Sequence, residues 1–166
     1  SMGSLIARGA TQYSRLADAA VFCGTTAPSA AQSLSGLAAT SLGSLFRGKR
    51  HISPFLNRAL FERRQYRALS ERTSCDWLTR SNAAVGLYMN DPYCGFICTA
   101  GLYHDLVKLA SVVTKPSNIK KTPRNLPIIF LSGDSDPVGG CGDEVIRLFE
   151  TYKKLGFSDV DCILYE

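Results

Sequence analysis

Two short stretches of this chain hold side chains that could do covalent chemistry. The segment Gly133-Asp134-Ser135-Asp136-Pro137-Val138-Gly139-Gly140 sets two carboxylates two residues apart between glycines and a proline. Such a pair binds a metal, closes a plain turn or orients a histidine, and the residues by themselves leave all three open. Ser1-Met2-Gly3-Ser4 places a serine directly ahead of a helical pattern, with glycine two residues on. This is the second half of the G-x-S-x-G nucleophile elbow, whose serine attacks an acyl carbon. A Ser, Met, Gly, Ser leader is also the form of an expression scar, and the residue pattern alone favours that reading. The six cysteines, Cys23, Cys75, Cys94, Cys98, Cys141 and Cys162, lack zinc-knuckle spacing, and Cys94 and Cys98 have no second pair of ligands near them. They read as reduced, small buried hydrophobes, and neither a metal nor another cofactor is expected.

The elements that must position these residues are legible to different degrees. Residues 126–133, LPIIFLSG, form a continuous apolar run typical of a buried parallel strand. That strand would deliver the two-aspartate loop at its carboxyl end, where open parallel sheets present functional side chains. Residues 143–156 follow with helical spacing, Val145, Leu148, Phe149, Tyr152 and Leu155 on one side and Gly156 at the end, and residues 159–166 form a further strand. Near the start, residues 2–17 predict a helix with apolar positions Leu5, Ile6, Tyr13 and Leu16, and residues 19–25 a strand ending at Gly24. Between these parts, helices are expected over 31–45, 56–69 and 102–113, the last with Leu102, Leu106, Leu109 and Val113 on one side. His104 falls in that last helix and His51 beside a basic stretch, and both read as surface or packing residues.

With 166 residues, 45% apolar and 20% charged, the chain has room for one core and the composition of a folded domain. No apolar run approaches the roughly 20 residues that a spanning helix needs, and no signal peptide opens the sequence. The net charge of +5 is concentrated: positions 47–80 hold nine Lys and Arg against three acids, a local +6, so the remainder is close to neutral at −1. Such a segment is usually a solvated helix face, although it could also meet phosphates or an anionic membrane surface. Nucleic acid is not an expected partner, because no zinc-finger, RNA-recognition or helix-turn-helix pattern accompanies the charge.

Four motifs occur in a meaningful order: Ser1-Met2-Gly3-Ser4-Leu5-Ile6-Ala7-Arg8, Asp76-Trp77-Leu78-Thr79-Arg80, Asp91-Pro92-Tyr93-Cys94-Gly95-Phe96, and Ser132-Gly133-Asp134-Ser135-Asp136-Pro137-Val138-Gly139. Together they resemble the α/β-hydrolase superfamily, in its serine aminopeptidase-like group with monoacylglycerol lipases and lysophospholipases. The elbow of that group usually reads G-H-S-M-G-S. The resemblance spans nearly the whole chain and argues that Ser1 is native and the sequence a fragment, beginning at the elbow and ending before the catalytic histidine. It implies a partial α/β-hydrolase fold: a mostly parallel sheet flanked by helices, with core residues 1–28 and 97–166 and a helical cap insertion over 29–96.

Carried onto matching positions, the resemblance makes Ser1 the nucleophile, Asp136 the acid that orients the histidine, and Met2 a backbone donor to the oxyanion. Asp134 is left as a turn residue. The family's histidine follows the last strand, and neither His51 nor His104 matches it, so these residues alone should lack a working triad. The implied substrate is a small-molecule or lipid ester, monoacylglycerol or lysophospholipid for preference, with a peptide substrate as runner-up. The implied setting is cytoplasmic or membrane-peripheral, and the oligomeric state is undecided. A different class stays open, a non-catalytic binding domain that keeps the fold and uses the basic segment. A sheet lacking neighbours at its edges would also be marginally stable and prone to aggregate.

Overall fold

The computed structural model describes residues 1–61 and 72–166. In chain order its elements are α1 (Met2–Tyr13), β1 (Ala20–Cys23), α2 (Ala30–Arg47), α3 (Pro54–Phe61), α4 (Asn82–Asn90), α5 (Ala100–Val113), α6 (Pro116–Ile119), β2 (Ile128–Gly133), α7 (Asp143–Lys154) and β3 (Val160–Tyr165). Single 3-10 turns occur at Asp76–Leu78 and Pro137–Gly139. The helix expected over 56–69 begins as α3. Its remaining part, with Arg63, Arg64 and Arg67, lies outside the described residues.

Two compact units result: Ser1–Ser35 with Leu106–Glu166, and Gly36–Asp105. In the first, all three strands run parallel in the order β1, β2, β3. Their register sets Ala20, Ile128 and Val160 side by side and, two residues on, Phe22, Phe130 and Cys162. Side chains alternate across a strand, so these two rows share one face of the sheet. Phe22, Ile128, Phe130 and Val160 are buried there. The α7 stripe Val145, Leu148 and Tyr152 closes over them, with the Phe130 ring edge-on to Tyr152 at 5.3 Å. Each such side chain contributes roughly 1.5–3 kcal/mol by leaving water, which makes this cluster the main stabilising feature of the unit. Asp143 and Glu144 in the first turn of α7 and Lys153 and Lys154 in its last complement the helix dipole, and Gly156 at φ +85° ends it as the sequence suggests. The opposite sheet face leaves Val21 and Ile163 exposed.

Helix α1 departs from the expectation in both length and buried face. It stops at Tyr13 because Ser14 turns extended and returns both its N–H and its hydroxyl to the Ala10 carbonyl. Of the four apolar positions only Leu5 is buried, whereas Ile6, Tyr13 and Leu16 face solvent. The buried side is otherwise polar: Ser4, Arg8, Thr11 and Gln12. Helix α5 likewise begins two residues early and buries Ala100, Tyr103, Ala110 and Val113, while Leu102 lies on the surface.

The second unit is helical, around Leu56, Ala100 and Tyr103. Ser53 caps α3 by accepting the Leu56 N–H at 3.3 Å, ahead of Pro54 in the first helical position. Asp76 closes a tight turn. Its Oδ1 accepts the Thr73 hydroxyl at 2.6 Å, and its Oδ2 accepts the N–H groups of Thr73 and Arg72. These bonds, the Thr73 hydroxyl foremost, hold the Asp76 carboxyl down to about 2. The ionised form is favoured by folding, so its contribution to stability is complete above the ordinary carboxylate range and disappears as the pH falls through about 2. A side-chain NMR titration of Asp76 should therefore show a midpoint near 2. A midpoint at an ordinary carboxylate value would mean that the turn does not hold in solution.

Candidate active site

Because β1 and β2 are parallel, the segments that follow them, 24–27 and 133–140, leave the same end of the sheet. Helix α1 starts at that end. Ser1 is its N-cap residue, and the Ser1 backbone nitrogen donates to the carbonyl of Gly24. Gly24 has φ +56°, a conformation that glycine adopts without penalty. A Cβ built there would stand 3.6 Å from Asp136 Oδ2 and 3.9 Å from Ser1 Cβ. Ser1 and Asp136, 135 positions apart in sequence, thus meet across one glycine.

Each side chain is aimed by its own local structure. Asp136 is half-buried and caps the 3-10 turn, Oδ1 accepting the Val138 N–H at 2.9 Å, which leaves Oδ2 turned toward Gly24 and Ser1. Asp134 is exposed. Its Oδ1 accepts the Ser135 hydroxyl at 2.8 Å, and its N–H bonds the Tyr165 carbonyl at the end of β3. Ser1 Oγ lies 3.5 Å from the place a Cβ on Gly3 would take, so glycine two residues after the serine leaves the hydroxyl uncrowded on that side. The backbone N–H groups of Met2 and its neighbours belong to the first turn of α1, where no intrahelical acceptor exists and the helix dipole favours negative charge.

Both histidines are engaged within the second unit. His104 Nδ1 lies 3.2 Å from Thr40 Oγ1, and the His51 carbonyl accepts the Ala100 N–H. Both are partly buried.

Sequence reasoning missed the hub of the site, the segment 24–27. Beyond Gly24, its Thr26 hydroxyl donates to Glu144 Oε2 at 2.6 Å, and the Ala27 N–H bonds the same oxygen. Arg147 donates to the Ala27 carbonyl. The only hint in the sequence was a pair of threonines after a short strand, Gly24-Thr25-Thr26.

The sheet, the helix that begins at Ser1 and the acid-bearing loop after β2 are those of an α/β-hydrolase. A highly thermostable carboxyl esterase from Bacillus coagulans, solved in complex with glycerol, superposes with a TM-score of 0.86 at 23% identity over 99% of this chain. A lipase in its open form superposes at 0.78 and 21% identity over 98%. The chain spans 53% of the length of each of these structures. The family model for serine aminopeptidase, S33, matches residues 1–166, and the chain belongs to that family. None of the curated proteins matches it. Among the described residues, no helix is long and apolar enough to cross a membrane.

Proposed function

We propose that these residues form part of a serine hydrolase acting on carboxylic esters, with Ser1 as nucleophile and Asp136 as the acid of its triad. The meeting of Ser1 and Asp136 Oδ2 across Gly24, at the N-terminus of α1, carries this reading. In the whole protein a histidine held by Asp136 takes the Ser1 proton as Oγ bonds to the acyl carbon. The carbonyl π electrons move to oxygen, and the oxyanion is held by the Met2 N–H and the positive end of α1. The histidine then passes the proton to the departing alcohol, and water releases the acyl group by the same steps in reverse.

Monoacylglycerol or lysophospholipid is the proposed substrate, with residues 29–96 as the lipid-facing insertion. Exposed Leu45, Phe46 and Phe55 beside Arg47, Lys49 and Arg50 support peripheral contact with an anionic membrane surface, since apolar side chains with flanking cations suit that interface. The esterase and lipase structures support ester chemistry, and the family's name keeps peptides as the alternative substrate.

The test is turnover by the whole protein of monooleoylglycerol, a lysophospholipid in anionic vesicles, and an aminoacyl p-nitroanilide. Faster cleavage of the lipids, with vesicle activity falling as salt rises, is the expected outcome. Preferential cleavage of the anilide would replace the lipid-ester reading by a peptidase.

A further inference from the structure

Arg8 is fully buried, yet no carboxylate among the described residues pairs with it. Its guanidinium is instead held by four neutral oxygens. One terminal nitrogen donates to Thr25 Oγ1 at 3.3 Å and to the Thr26 carbonyl at 2.8 Å. The other donates to the Val113 carbonyl at 3.1 Å and to Thr114 Oγ1 at 3.2 Å. Val113 is the last residue of α5, so its carbonyl belongs to the negative end of that helix dipole. Tyr152 of α7 lies against the same guanidinium, its hydroxyl pKa raised by burial with Arg8 acting in the opposite direction.

Burying a cation without a counter-ion is costly, and an apolar side chain of similar volume is commonly as stable or more so in such a place. Packing therefore does not explain Arg8, whereas the geometry of its partners does. Ser1 and Arg8 are seven residues apart on α1, two turns, and so lie on one face of the helix. That face is fastened to the segment after β1 at two points: Ser1 nitrogen to Gly24 oxygen, and Arg8 to Thr25 and Thr26. The same segment borders the acid loop, because a Cβ on Gly139 would lie 3.3 Å from the Thr25 carbonyl oxygen.

We propose that Arg8 is a positioning residue, which locks the rotation and depth of α1 against residues 24–26 and so sets Ser1 against Asp136. The fork of the guanidinium suits this task, since two planar N–H groups reach two separate segments at once. Lysine, a point charge with rotatable donors, cannot fix both. The proposal rests on the serine hydrolase reading.

The test uses the whole protein and compares Arg8→Met, Arg8→Lys, Thr25→Val and Thr114→Val. Fluorophosphonate labelling of Ser1 is followed in time and also counts competent sites, and kcat and KM for a p-nitrophenyl ester are expressed per labelled site. Arg8→Met is expected to slow both labelling and kcat by about tenfold to a hundredfold, the loss typical of a small misplacement of reacting atoms. KM should move by less than about threefold, because ground-state binding is not what is lost. Arg8→Lys should recover thermal stability more than kcat. If Arg8→Met does not fold, the threonines decide: Thr25→Val, on the site side, should slow labelling more than Thr114→Val, on the far side. Normal labelling and kcat per site in the folded Arg8 variants, or equal effects of the two threonine variants, would overturn the proposal. A wild-type protein that is not labelled at all would overturn the hydrolase reading and this inference with it.

Discussion

Ser1→Ala in the whole protein is expected to lower kcat for a p-nitrophenyl ester by about a millionfold, the loss seen when an acyl-enzyme nucleophile is deleted. That corresponds to about 8 kcal/mol of transition-state stabilisation. The fold should barely notice the change. The Ser1 side chain makes no capping bond to α1, so alanine removes no interaction on which the helix depends. Stability should stay within about 1 kcal/mol of wild type, because no side-chain bond to the helix is lost. Steady-state kinetics alongside a thermal melt would check both parts. Activity retained by the alanine variant would place the nucleophile elsewhere.

Asp136→Asn should cost about ten-thousandfold in kcat, through the tautomer of the histidine it orients. The local geometry explains why asparagine is the informative change. Asp136 Oδ1 accepts the Val138 N–H and Oδ2 faces Gly24 and Ser1. Asparagine keeps the turn by giving its oxygen to Val138, which turns its NH2 donor toward the position where an acceptor is required. The turn survives and the chemistry does not. Asp134→Asn, an exposed site bonded to Ser135, should change kcat by less than about threefold. A larger loss at Asp134 than at Asp136, measured under the same conditions, would reverse the assignment of the acid.

The parts of the fold legible in the sequence are those whose signals are local. Within the apolar run 126–133, residues 128–133 form a strand because a run this short and continuous has few other uses. The helix after it was legible because its stripe, its terminal charges and Gly156 all agree. Helix α1 misled because its buried face is polar. Hydrophobic periodicity cannot announce Ser4, Arg8, Thr11 and Gln12 as interior, since the burial of Arg8 and Gln12 is offset by bonds to Val113, more than a hundred residues away, and that of the Ser4 and Thr11 hydroxyls by the Ser1 and Arg8 carbonyls. The site divides in the same way. The turn that aims Asp136 is written in its own neighbours, Pro137 and Val138. Its meeting with Ser1 depends on the parallel register of β1 and β2 and on the backbone of Gly24, neither of which leaves a trace in residue order. Ser1 itself could not be told from a scar by pattern. It took the ordered resemblance of four motifs to give it weight, and in three dimensions it stands across Gly24 from Asp136.

The most direct test of the central claim is to treat the whole protein with a fluorophosphonate and locate the adduct by fragment-ion mass spectrometry. Cleavage after Arg8 leaves Ser1 and Ser4 on one peptide, and fragment ions distinguish them. One phosphonyl group on Ser1, absent after Ser1→Ala and slowed by Asp136→Asn, is the expected result. An adduct on Ser4 or on any other serine, or no adduct on a folded protein, would contradict it.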